Sequence, residues 1–293
     1  MLILPLIPVR FSRLRVPGLL AVLLLLLARA AVAQTPGRVL FDPTTEYARR
    51  CLANDSTPLL SINHRNFRLY YPDSSYAARH LDRLTQELDA AYARILDVLQ
   101  VPSYDHGIHL IAVDSREAML KLMGMRIKGG AAVADHLVFF VFNDQTRPQF
   151  RHEIFHLISY QLWGLYSNRL LDEGAATYTD NTCFYDNPIN AINARLLSEH
   201  KLFDTLALAA DFGAQAKQSD VIAYLQAAGL VKYLYERYGL ARFRRLWTEG
   251  FDHFEAIYGL PLARLDREWR LYLRTLPPAP EIDLTKLMKE GCG

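Results

Sequence analysis

Apolar positions along the chain show three patterns in turn. A leucine-rich run spans Leu19 to Leu27; short β-rich stretches then alternate with amphipathic ones; beyond Arg147-Pro148 only helical spacing remains. Asn66 to Tyr71 alternates and is rich in β-formers, which predicts a strand, with Thr44 or Thr45 placed to cap a short helix through Cys51 before it. Pro72-Asp73-Ser74-Ser75 breaks the pattern. Ala77, Leu81, Leu84, Leu88, Ala91, Ile95 and Val98 then recur at helical spacing, predicting one long amphipathic helix from Tyr76 to Leu99. Ile108 to Val113 reads as a buried strand, Ser115 to Leu122 as a short helix, and His136 to Phe142 as a further strand after the Gly129-Gly130 break. Helices are expected at Phe150 to Trp163, Arg169 to Asp180, Ala191 to Leu202, Asp220 to Tyr238, Ala241 to Thr248 and Leu262 to Leu276. Pro277-Pro278-Ala279-Pro280 ends the last of these, and the remaining residues read as a surface extension. The expected class is α+β, with a small mixed β-sheet and helices in the N-terminal half and an all-helical C-terminal half.

The first apolar run has a different meaning. Arg10, Arg13 and Arg15 precede it, Arg29 interrupts its end, and Ala31-Val32-Ala33 comes after. Basic residues, a short apolar core and small residues make a secretory signal cleaved after Ala33. A retained anchor is the weaker reading, because the run is short for a bilayer span. Residues 1–33 hold four arginines and no acid, so their removal takes the formal net charge from +2 to −2. A near-neutral exported chain lacks the basic face of a nucleic-acid binder. Cys51, Cys183 and Cys292 remain. An oxidising compartment permits one disulfide among them, and three separate thiols are the alternative.

The chemistry lies in His152-Glu153-Ile154-Phe155-His156. Positions four apart on a helix lie one above the other, so two imidazoles meet at one point with Glu153 beside them. That arrangement suits one zinc ion per chain with a neighbouring general base. A catalytic zinc usually takes three protein ligands. The first acids downstream in a helical context are Asp172-Glu173, in Leu170-Leu171-Asp172-Glu173-Gly174-Ala175-Ala176, and the small residues permit close packing against the histidine helix. Sixteen residues separate His156 from Glu173, enough for a helix end, a turn at Trp163-Gly164 and a return.

These motifs resemble the peptidase MA-like metallopeptidases of the gluzincin class. Glu173-Gly174-Ala175-Ala176 with Tyr178 is similar to their second motif, and Tyr224 to Leu234, closing at Tyr238-Gly239, to a third; the final helix with Trp269 and Leu273 also looks like theirs. The resemblance runs over about residues 66 to 275 and implies a zincin-like fold with the zinc in a cleft between the halves. It implies His152, His156 and Glu173 as metal ligands and Glu153 as the base that takes a proton from water. It also implies a tyrosine or histidine of the helical half as oxyanion donor, for which Tyr224 is the candidate. Packing of Tyr224 with Tyr233 and Tyr238 is the plainer alternative. Many gluzincins carry an acid four residues after the ligand glutamate; here that position is Thr177, and Asp180 is the substitute candidate.

The implied organisation is a signal at 1–33, an N-terminal extension at 34–65, the metallopeptidase domain at 66–276 and a tail at 277–293. The implied function is an exported, periplasmic or extracellular zinc metallopeptidase acting on peptides or proteins, with no nucleic acid and no membrane anchor once the signal is cleaved. Substrate would add as a strand along Gly130 to Val133, a segment otherwise read as a glycine turn. Two rivals stand beside this: a zinc hydrolase of a non-peptide amide such as a cell-wall bond, and a zincin-shaped binding protein without turnover. His106 and His109, three apart near a strand, read as surface residues; Arg242, Arg244 and Arg245 read as a solvated helix face; His64, His80, His136, His200 and His253 lack ligand spacing.

Overall fold

The computed structural model describes residues 40–41, 46–53, 57–124, 131–134, 137–146, 149–180, 188–277 and 283–290. In chain order the first half gives β1 (Leu40–Phe41), α1 (Glu46–Leu52), β2 (Leu59–His64), β3 (Phe67–Pro72), α2 (Tyr76–Arg79), α3 (Leu81–Leu99), β4 (His106–Val113), α4 (Arg116–Met123), β5 (Ala131–Ala134) and β6 (Leu137–Val141). The sheet order is β2-β3-β4-β6-β5, with β1 pairing alongside the start of β4. β2 and β3 form an antiparallel hairpin, β3, β4 and β6 run parallel, and β5 returns antiparallel to β6 at the edge. This is a mixed sheet in an α+β fold, as expected.

The continuous apolar run of β4 is explained by cover on both faces. Ile108, Leu110 and Ala112 join Leu84, Leu88 and Ala91 of α3 in the main core. Ile111 and Val113, on the alternate positions, meet Met119 and Leu122 of α4 and Ala48 and Cys51 of α1 on the other side. Ser75 and Ser115 start α2 and α4, their side chains accepting from the backbone N–H of Ala78 and Ala118. The expected single helix from Tyr76 is divided at His80, which leaves helical geometry at φ −132° while its ring lies 4.1 Å from that of Tyr76. The flanking apolar spacing carries on across the break, so periodicity cannot register it. β2 has no counterpart among the expected strands. It is an edge strand with Leu60 exposed, held by its ladder to β3 rather than by a buried face.

The second half is α5 (Phe150–Trp163), α6 (Arg169–Asp180), α7 (Ile189–Ser198), α8 (Thr205–Ala210), α9 (Phe212–Gln218), α10 (Asp220–Tyr238), α11 (Leu240–Glu249), a 3-10 turn (Phe251–His253), α12 (Phe254–Tyr258), α13 (Leu262–Thr275) and α14 (Leu284–Glu290). α5, α6 and α10 have the bounds their periodicity predicts. The short helices α8 and α9 escape the apolar pattern; Asp204 and Asp211 cap them in a stretch too brief to show a period. The tail is not a surface extension. Leu284 and Leu287 of α14 are buried with Ile189, Ile192 and Leu196 of α7 and Val221, Ile222 and Leu225 of α10.

α10 is buried on nearly every side from Val221 to Leu234 and organises the helical half. Its closest neighbour is α6, and Gly174 is the reason. A Cβ there would lie 2.8 Å from the carbonyl oxygen of Ala227 and 2.8 Å from Cγ2 of Val231. The small residue after Glu173 therefore serves contact with α10, not the expected approach to α5, although α6 also packs on α5. Gly174→Ala is expected to cost about 1–3 kcal/mol through forced separation of the two helices. Thermal unfolding checks it, and an unchanged midpoint would show that α6 and α10 have slack at this contact.

Residues 1–39, with the leucine-rich run, lie outside the described residues, as do Thr44, Thr45, Gly129, Gly130, His136, Cys183 and Cys292. Cys51 is buried, with its sulfur 3.6 Å from the carbonyl oxygen of Leu122. No described helix is long and apolar enough to cross a membrane.

Candidate metal centre

α5 is anchored by Ile154, Phe155 and Ile158, all buried in the main core, while His152 and His156 face Glu173 of α6. Gly164, at φ 79°, ends the helix. The linker beyond it is tied to α11: the indole of Trp247 donates to the Gly164 carbonyl at 3.0 Å, and Ser167 N–H donates to the Trp247 carbonyl at 2.7 Å. Asn168 then starts α6, its side-chain oxygen accepting from Leu170 N–H at 2.9 Å, while its amide donates to the Ala209 carbonyl. These bonds set the angle at which α6 returns across α5.

The return brings Glu173 to the two imidazoles. Glu173 Oε2 lies 3.3 Å from His152 Nε2 and 3.7 Å from His156 Nε2. Among the described residues these three form a group with one donor atom each, all within 4.8 Å of one another, that could hold a metal ion. Ligand bonds of about 2.0–2.1 Å arranged tetrahedrally would place donor atoms about 3.3 Å apart, so the widest pair would have to close by up to about 1.5 Å to share one ion.

Around it stand groups that orient the ligands. His156 Nδ1 is 2.8 Å from Asp172 Oδ1, and the Tyr160 hydroxyl donates to Asp172 Oδ2 at 2.7 Å. A carboxylate on Nδ1 keeps the proton there and leaves Nε2 to face Glu173. Arg169 Nε donates to Glu173 Oε1 at 3.2 Å, and Nη2 lies 3.2 Å from the same oxygen as an ion pair. The Tyr224 ring is 6.3 Å from that of His152, and Tyr224 is close enough to Glu173 and Arg169 to feel both charges.

This crowding sets the electrostatics. Burial alone would raise the Glu173 carboxyl, yet hydrogen bonds from His152 and His156 hold it far below the usual carboxylate range. Burial alone would lower His156, but the hydrogen bonds to Asp172 and Glu173 win and push it up to about 10. Burial, then the Glu173 charge, raises Tyr224, so it stays a protonated donor.

Of the sequence candidates, His152, His156 and Glu173 are brought together, Glu153 sits half-buried beside them, and Tyr224 reaches the group from α10. Tyr224 packs on Phe212 at 5.3 Å, while Tyr233 pairs with Tyr272 and Tyr238 with Tyr258. The acid on His156 is Asp172; Asp180 lies two turns on, where its carbonyl accepts from Arg151. His109 is buried rather than exposed, stacked on Tyr70 with Nδ1 3.0 Å from its hydroxyl, because β4 is covered on both faces. Arg242, Arg244 and Arg245 are exposed, as expected. Tyr160 and Arg169 are absent from the sequence candidates, though both carry a visible signal: one stands four residues after His156, the other four before Glu173. β5 is the sheet edge and packs on α5, so the expected edge segment forms a strand from Ala131.

Asp172→Asn keeps the shape and removes the charge that holds His156. Metal affinity is expected to fall about 10–100-fold, measured by competition with a chromophoric chelator. Undiminished affinity would mean that Asp172 does not orient the imidazole.

The sequence matches no family model and no curated protein to a significant degree.

Proposed function

We propose that the chain is an exported zinc-dependent metallopeptidase of gluzincin type, with a zincin-like fold and one zinc per chain. The observation that carries this reading is the convergence of His152, His156 and Glu173 from two helices within 4.8 Å, a nitrogen and carboxylate donor set suited to zinc. When bound, zinc supplies a Lewis acid that acidifies water to near neutrality and polarises a carbonyl. Glu153, half-buried on the same helix, takes the proton from the attacking water and passes it to the leaving amine. Tyr224, protonated by virtue of its raised pKa, donates a hydrogen bond to the carbonyl oxygen as it gains charge. Asp172 and Tyr160 hold His156, and Arg169 holds Glu173. Among the described residues β5 is the outermost strand, and its outer edge offers backbone donors and acceptors to an extended peptide beside the histidine helix.

The test is metal analysis of the purified protein together with cleavage of a diverse peptide library. Close to one zinc per chain and chelator-sensitive peptide cleavage are expected. A fully zinc-loaded protein that leaves the whole library intact would overturn the peptidase reading, and cleavage of cell-wall amides alone would replace it with the non-peptide one.

A further inference from the structure

Arg169 is an odd residue for the place it occupies. It is the first residue of α6, where the helix dipole is positive and a cation is disfavoured. Its pairing with Glu173 is an i,i+4 pair with the base on the N-terminal side, the weaker of the two orders. Its side chain is 55% exposed, so the pair is half in water and adds little to stability. A residue chosen to stabilise α6 would be an acid here. The arginine instead directs both Nε and Nη2 at one oxygen, Oε1 of Glu173, while the other oxygen, Oε2, faces both histidine nitrogens. The two oxygens of this carboxylate are therefore assigned to different partners.

Resting on the metal-centre reading, we propose that Arg169 is a positioning residue that limits Glu173 to ligation through Oε2 alone. A carboxylate can grip a metal through one oxygen or two. With Oε1 engaged by the guanidinium, a two-oxygen grip would require breaking that contact. One oxygen from Glu173 and one nitrogen from each histidine would give the three protein ligands usual for a catalytic zinc, with room left for water and substrate. The planar fork matters as well as the charge. Nε donates to Oε1 along a direction set by the planar guanidinium, with Nη2 beside it on the same oxygen, whereas an ammonium acts only as a point charge. Arg169 also sits over the ring of Phe212, 5.8 Å from its centroid, which limits where the guanidinium can swing.

The test compares the full-length wild type with Arg169→Gln and Arg169→Lys, loading each with zinc and separately with cobalt(II). Arg169→Gln is expected to bind zinc about 10–100-fold more weakly. Its cobalt spectrum is expected to lose visible-band intensity, the mark of a higher coordination number when both Glu173 oxygens bind. Arg169→Lys should recover part of the affinity and little of the spectrum. Metal-free unfolding midpoints should stay close to the wild type in both variants, which separates positioning from a folding defect. Wild-type affinity together with a wild-type cobalt spectrum in Arg169→Gln would overturn the proposal. A wild type that takes up neither metal would overturn the metal centre itself, a failure visible before any variant is compared.

Discussion

Glu153→Gln is expected to retain close to one metal per chain and to lower peptide hydrolysis by about 10²–10⁴-fold. Glutamine has nearly the same shape and can still hydrogen-bond a water, but it cannot take up the proton that the attacking water must lose. The loss corresponds to about 2.7–5.5 kcal/mol of transition-state stabilisation. Metal binding is untouched because the donor set of His152, His156 and Glu173 does not include Glu153. The side chain is half-buried rather than in the core, so the fold should be intact. Steady-state kinetics with a fluorogenic peptide and metal analysis on the same preparation check both halves of the expectation. Full activity in this variant would remove Glu153 as the base and favour a different proton acceptor.

Glu173→Ala is expected to lower metal content well below one per chain. Two imidazoles would remain, and three protein ligands are the usual complement of a catalytic zinc. The loss is compounded electrostatically, because the guanidinium of Arg169 would face the cation without the carboxylate between them. Retained stoichiometric zinc would take Glu173 out of the ligand set. The same site has a pH signature. Burial lowers His156, but the hydrogen bonds to Asp172 and Glu173 outweigh it and push it up to about 10, so at neutral pH ligation has to displace a proton. Only the neutral imidazole ligates. Apparent affinity should therefore fall as pH is lowered, and metal uptake at neutral pH should release protons. Calorimetry in buffers of different ionisation enthalpy measures that release, and uptake with no proton released would mean that His156 is already neutral or is no ligand.

Several features of the site are written in the sequence because they depend only on helical geometry. Four-residue spacing places His152 above His156, extends one turn further to Tyr160, and relates Arg169 to Glu173 in the same way. The bounds of α5, α6 and α10 come from long apolar periods, and the change at Arg147-Pro148 marks where strands end among the described residues. Elements held by partners rather than by their own pattern are not legible. β2 exists through its ladder to β3, α8 and α9 through single capping aspartates, and α14 through Leu284 and Leu287 reaching the far side of α10.

Spacing along the chain was enough to put two histidines and a glutamate on one helix turn, to place an acid pair on a second helix, and to divide the chain into a mixed α/β part and a helical part. Which acid meets which histidine depends on packing. α6 touches α5 and α10 at once, and the close approach that Gly174 allows at Ala227 sets its rotation. With that rotation Glu173 faces both histidine Nε2 atoms and Asp172 faces His156 Nδ1. Helical spacing limits which residues share a face; the packing of α6 against α10 selects the face that turns toward the histidines.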